Sequence, residues 1–311
     1  ETANAAISLT TSGDIVISVA NTVIGTNTLT IQPLSTGGTI GLGASTPTGT
    51  LNLDPTDLAG IRNGFSGITM GISGTGTGAV DVNASTFNDP ITIIGGSIAV
   101  TGLNAGSSNS VTLTAQGTGA STITDGDSST TTDITGSSVT LNAEEGIGAT
   151  GAGPSIEIDA TTLSSPNSPS GGIFINETGD MTVASVNAGT GAVELRSGGS
   201  LADDASATTI TGSSVLLSAT NAIGATGENN EMDTTTANLT LVTGTNLFVA
   251  NSSDLTDLSI TSTQGEDESN TYSLAATNLT FVVTDAGTNY ALTNVSDTTG
   301  LNFTFSGDEG I

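Results

Sequence analysis

The chain has 311 residues, of which 35% are hydrophobic but only 3% aromatic, and it sets 30 acidic side chains against 2 basic ones, for a formal charge of -28. Arg62 and Arg196 alone cannot build a basic patch, which excludes nucleic acid and anionic membrane surfaces as partners. The absence of Cys and His excludes disulfide frameworks, thiolate metal sites and His-based acid–base catalysis.

The 42 glycines and the abundance of Ser, Thr and Asn would suit a disordered chain, but β-branched triplets recur throughout, and disordered segments lack them. A thin core of short Val/Ile/Leu strands, turned by Gly, Asn, Ser and Thr, fits better. No apolar run is long enough to span a bilayer, so no transmembrane segment is expected. The chain begins at Glu1 without Met, which leads us to expect a removed leader or an excerpt of a longer protein.

Taken in order, the strand-like runs are Ile7–Leu9, Ile15–Val19, Leu29–Ile31 and Thr39–Leu42, all with period two rather than helical spacing. One helical turn is predicted in the stretch Asp54–Gly64, with Asp54 as N-cap, Pro55 at the first helical position and Asp57 three residues after the cap. Strand rhythm then resumes at Ile68–Ile72, Ala79–Val82, Ile91–Ile94, Ile98–Val100 and Val111–Leu113. Residues 117–133 are the most polar stretch and read as a loop or a poorly packed coil. Their Asp125, Asp127 and Asp133 are weak calcium candidates, because the spacing lacks the Glu that completes an EF-hand loop.

The strongest internal signal is ITGSSVTLNAEEGIGATG at Ile134–Gly151, which returns as ITGSSVLLSATNAIGATG at Ile210–Gly227 with 13 of 18 positions identical. Such a long repeat predicts stacked coils of roughly 20 to 25 residues, each pairing with its equivalents above and below. The Pro-rich stretch Ser164–Gly172 is expected to be an exposed loop. Residues 1–270 are therefore assigned to β-solenoid repeats. Residues 271–311, where Tyr272, Phe281, Tyr290, Phe303 and Phe305 gather, are assigned to terminal coils or the start of a further β module.

The runs TLTIQPLSTGGTIGLG (Thr28–Gly43), LNLDPTDLAGIRNGFSGITMG (Leu51–Gly71), GTGAVDVNASTFNDPITI (Gly76–Ile93) and GGSIAVTGLNAGSSNSVTLTA (Gly95–Ala115) resemble repeats of filamentous-haemagglutinin-like exoproteins, as does the duplicated motif. That resemblance implies an all-β, right-handed parallel β-helix and a role in bacterial adhesion or surface structure. It supplies scaffold positions rather than a binding site.

Catalysis is not expected. A glycosidase would need a carboxylate pair, yet Asp203-Asp204 and Glu144-Glu145 are sequence neighbours, whose side chains on a strand point to opposite faces. Arg62 is expected to pair with Asp54 or Asp57, and Arg196 with Glu194 or a neighbouring coil. Seven Asn-x-Ser/Thr sequons, at Asn83, Asn176, Asn238, Asn251, Asn278, Asn294 and Asn302, matter only if the source glycosylates exported proteins.

The expected protein is thus a non-enzymatic, structural or adhesive solenoid, secreted or displayed at a bacterial cell surface. It requires no cofactor, though calcium is admitted. Its expected partners are copies of itself or surface glycans and proteins. The alternatives are a subunit polymerising through exposed strand edges into a filament or sheath, and, remotely, a carbohydrate-active β-helix enzyme.

Overall fold

Short runs of alternating apolar and polar residues cannot bury one face unless equivalent runs stack on them, and parallel stacking is what these runs do. The computed structural model describes residues 5–43, 49–117, 119, 121–151, 153–164, 168–206, 209–227, 229–263, 272–277, 280–284 and 302–305. It is an all-β solenoid of parallel strands that divides into two compact units, Glu1–Thr161 and Thr162–Ile311.

In the first unit the strands fall into three ladders. The first runs through Ile7–Thr11, Thr28–Pro33, Gly67–Met70, Ile91–Gly95, Ser110–Ala115 and the later half of Ile134–Asn142. Its register stacks Leu29, Ile68, Ile91, Val111 and Val139 in one buried row, and Ile31, Met70, Ile93, Leu113 and Leu141 in another. The second ladder joins Leu51–Leu53, Ile40–Leu42, Val80–Val82, Ile98–Val100, Thr122–Asp125 and Gly146–Ile147. The third joins Ser85–Thr86, Leu103–Asn104 and the start of Ile134–Asn142.

The second unit repeats the scheme. One of its ladders runs from Ile173–Glu177 through Val193–Ser197, Val215–Ala219, Asn238–Thr243, Asp257–Ser262 and Thr280–Thr284 to Asn302–Phe305. Another joins Val186–Asn187, Ile210–Thr211, Met232–Thr235 and Leu247–Asp254. Measured between paired residues, the steps from coil to coil run from 17 residues (Met232 to Val249) to 31 (Leu103 to Ile134), apart from one of 39 (Leu29 to Ile68). The 31-residue step exceeds the expected length because it carries the loop that follows Asp125, and the 39-residue step because it carries Leu51–Leu53 and a short helix.

The duplicated motif covers the three strands of a coil but not its return, since Ile210 meets its next ladder partner only at Thr234. In the first unit Ile134, Val139 and Ile147 lie in three successive ladders, and in the second unit Ile210, Val215 and Ile223 each pair in parallel with equivalents on neighbouring coils. Gly136 and Gly212 turn the corner between the first two, where a Cβ would stand 3.1 and 3.0 Å from the side chains of Val111 and Val193. Gly148 and Gly224 turn the last corner with φ of 64° and 67°, in the left-handed region where a side chain is strained.

The helix Pro55–Gly60 forms as predicted, with Asp54 and Asp57 in a reciprocal capping box. It ends before Gly64, because Ile61 turns extended and bridges Val23 in parallel. Asp57 is buried and also accepts the Ile17 N–H at 2.6 Å. Both candidate carboxylates are thus engaged by the cap, and Arg62 has no ion pair among the described residues. Arg196 meets Glu194 at 2.6 Å, as expected.

One expectation of looseness is corrected and a second is qualified. The polar stretch 117–133 contains the strand Thr122–Asp125, whose Ile123 is fully buried between ladder partners. In Ser164–Gly172, residues 165–167 lie outside the described residues, and Pro169 and Ser170 are exposed outside any strand as expected of a loop, but Ser168 is buried and its N–H donates to the Asn187 carbonyl. In 271–311 the described strands Tyr272–Thr277, Thr280–Thr284 and Asn302–Phe305 continue the parallel pairing. Tyr290, Asn278 and Asn294 lie outside the described residues.

Candidate functional site

The strand Thr122–Asp125 leaves its ladder at Gly126, whose N–H donates to Val100 O at 2.8 Å. The chain then loops outward over residues 126–132 through nested side-chain turns. The Asp127 N–H donates to Asp125 Oδ1, the Ser129 N–H to Asp127 Oδ1 and the Thr131 N–H to Ser129 Oγ. It re-enters the core at Asp133, which is 1% exposed.

Asp133 meets Glu157, also 1% exposed, on the adjacent coil. The Asp133 N–H donates to Glu157 O at 2.8 Å, and the Glu157 N–H donates to Asp133 Oδ2 at 3.0 Å. Ser155 Oγ donates to Glu157 Oε1 at 2.7 Å. Asp125 completes the cluster, with one carboxylate oxygen from each residue lying within 4.8 Å of the others.

Each of the three carboxylates therefore has one oxygen held by a donor and one buried oxygen with no partner: Asp125 Oδ2, Asp133 Oδ1 and Glu157 Oε2. Burial, reinforced by the negative charges of Asp125 and Glu157, pushes the Asp133 carboxyl up to about 8. Burial raises Glu157 as well, against the hydrogen bond from Ser155. A buried polar atom without a partner is costly, and three carboxylates this close, each with one such atom, call for a proton or a cation. The donor set is all oxygen, which suits a hard cation and not zinc or copper.

Of the three candidates read from the sequence, the structure brings Asp125 and Asp133 together and leaves Asp127 out. Asp127 is exposed, and its carboxylate is bound by Ser129, whose hydrogen bonds hold it below its ordinary value. Glu157 was missed. No local signal marks it, since Ile156-Glu157-Ile158 reads as an ordinary alternation with Glu157 outward, whereas in the fold all three are buried.

The second unit holds a reduced copy. Asp203 ends the strand Leu201–Asp203 as Asp125 ends its own, with Oδ1 accepting the Ala205 N–H at 2.7 Å and a buried, unpartnered Oδ2. Asp233 occupies the repeat position of Glu157, but Thr209 stands where Asp133 would be. The backbone agrees: Leu103 N–H donates to Asp133 O and Val186 N–H to Thr209 O. Burial, with the charges of Asp204, Asp233 and Glu231, raises Asp203 to about 6.

The adjacent acid pairs make no dyad. Asp203 is half-buried and Asp204 exposed, while Glu144 and Glu145 are both exposed in a turn whose two N–H groups donate to Ser121 O. A cleft of about 340 Å³ beside the helix presents Asp89, whose carboxylate accepts the Gly64 and Phe65 N–H groups. A second hollow of about 730 Å³ presents Asp81.

No family model, no curated protein and no solved structure matches the chain. The fold and the ladders define its class, a parallel β-solenoid repeat protein. No helix among the described residues is long and apolar enough to cross a membrane.

Proposed function

We propose that the chain is a non-enzymatic structural solenoid of a bacterial surface or secreted exoprotein of the filamentous-haemagglutinin kind, serving to project or adhere. The observation that carries this reading is the use of the side chains. The inward rows are consumed by stacking, as in Leu29 to Val139. The outward rows are small polar residues that hydrogen-bond between coils, as Thr235 does with Ser252 and Gln32 with Thr10. Neither hollow joins two carboxylates across a groove, which favours a scaffold over a glycoside-cleaving enzyme. Contact with glycans or proteins would then be weak and multivalent along the coils.

One observation favours the polymer reading. The strand Ile7–Thr11 has a single partner strand among the described residues, and Val16, Val19 and Leu34 are exposed in the same unit. An open strand edge beside apolar side chains can recruit another copy. Negative-stain microscopy separates the two. Isolated particles support the adhesin and regular fibres the polymer, and release of products from a polysaccharide panel would overturn both.

A further inference from the structure

We propose that Asp125, Asp133 and Glu157 form a built site for a divalent cation of the calcium class, which fastens the 126–132 loop to the coil carrying Glu157. The site stands whether or not the protein adheres to anything. Acidic side chains crowd many surfaces of a chain this charged, but this cluster differs in burial and in hydrogen bonding. Asp133 and Glu157 are each 1% exposed, and the one described ion pair involves Arg196, so no basic side chain offsets the cluster. Each carboxylate is oriented through one oxygen by a backbone N–H or a serine hydroxyl, which leaves the other free to coordinate. Such orientation by neighbouring hydrogen bonds is how proteins set metal ligands in place.

The spacing fits calcium. At the usual calcium–oxygen distance of about 2.3–2.6 Å, oxygens across the ion stand about 5 Å apart, so three donors within 4.8 Å of one another fall in a single shell. Magnesium, at about 2.0–2.1 Å in a strict octahedron, tolerates irregular carboxylate sets less well. A shared proton can bridge one pair of carboxylates and leaves the third charge buried, whereas one cation neutralises oxygens from all three. The reduced copy in the second unit sharpens the contrast. With Thr209 in place of the central aspartate it keeps only two of the three carboxylates.

The test is calorimetric titration of the whole chain, stripped with chelator, using calcium chloride and, separately, magnesium chloride. One saturable calcium site is expected, with magnesium at least tenfold weaker and a melting temperature several degrees higher in calcium. Asp133→Asn and Glu157→Gln keep the local hydrogen-bond acceptors and should each weaken calcium at least tenfold, while Asp127→Asn leaves it unchanged. If either buried variant fails to fold, Asp125→Asn at the half-buried rim takes its place, and slowed proteolysis of the 126–132 loop in calcium gives a readout on the unaltered chain. Absence of calcium binding, binding that survives both triad substitutions, or magnesium binding as tight as calcium would overturn the proposal.

Discussion

Asp133 and Glu157 hold each other from both sides, the Asp133 N–H donating to the Glu157 carbonyl and the Glu157 N–H returning to the Asp133 carboxylate. This reciprocal pairing makes the side chain of Asp133 part of the ladder as well as part of the acidic cluster. Asp133→Ala is expected to leave the buried Glu157 N–H without its acceptor, at a cost of about 1–3 kcal/mol. Asp133→Asn keeps an acceptor and cannot ionise, so in chelator it should be as stable as the parent or more so. Urea denaturation of the two variants side by side checks this.

The second cluster predicts a pH dependence. The Asp203 carboxyl titrates at about 6 when folded, against an ordinary 3.8. Between those values the folded chain binds more protons than the unfolded one. The stabilisation is therefore fully present below about pH 4 and is lost as pH rises through 6. Asp204, Asp233 and Glu231 are the charges acting on it. The melting temperature of Asp203→Asn, subtracted from that of the parent, should show this decline between pH 4 and 6, and a flat difference would refute it.

Thr209→Asp should restore the third carboxylate of that cluster. The expected result is a second calcium-binding event in calorimetry, weaker than the first because Asp233 is one methylene shorter than Glu157.

Leu113 sits fully buried between Ile93 and Leu141 in its ladder. A stack of coils relaxes little around a void, so Leu113→Ala is expected to cost about 2–5 kcal/mol, measured by equilibrium unfolding.

Asn251 is a sequon by sequence but a buried bracket in the fold. It accepts from the Thr234 hydroxyl at 2.9 Å and donates to the carbonyls of Thr236 and Ser253. Asn251→Ala should destabilise the chain by about 2–3 kcal/mol through the buried groups it strands. Expression in a glycosylating host should leave Asn251 of the folded protein unmodified, as mass spectrometry of its peptide would show.

Much of the architecture was legible in the residues. Period-two triplets such as Val111-Thr112-Leu113 mark strands because alternate side chains face opposite sides, and the ITGSSV…IGATG duplication marks a coil because a corner needing Gly136 needs Gly212 in the equivalent place. The capping box at Asp54 and Asp57 is equally local, since all its atoms belong to one turn. The acidic site was only half legible. Asp125 and Asp133 are close in sequence and drew attention, but so did Asp127, which the turn points to solvent.

What the sequence by itself determined is the set of local choices: strand or turn, polar or apolar face, and a charge balance of 2 basic side chains against 30 acidic ones. What only the tertiary structure decided is which of those acids share a volume. Glu157 lies 24 residues from Asp133 and reaches it because a coil of that length returns the chain one strand spacing away. That return depends on the register of every strand between them, which no local pattern carries, and it turns two scattered carboxylates and a third into one buried cluster.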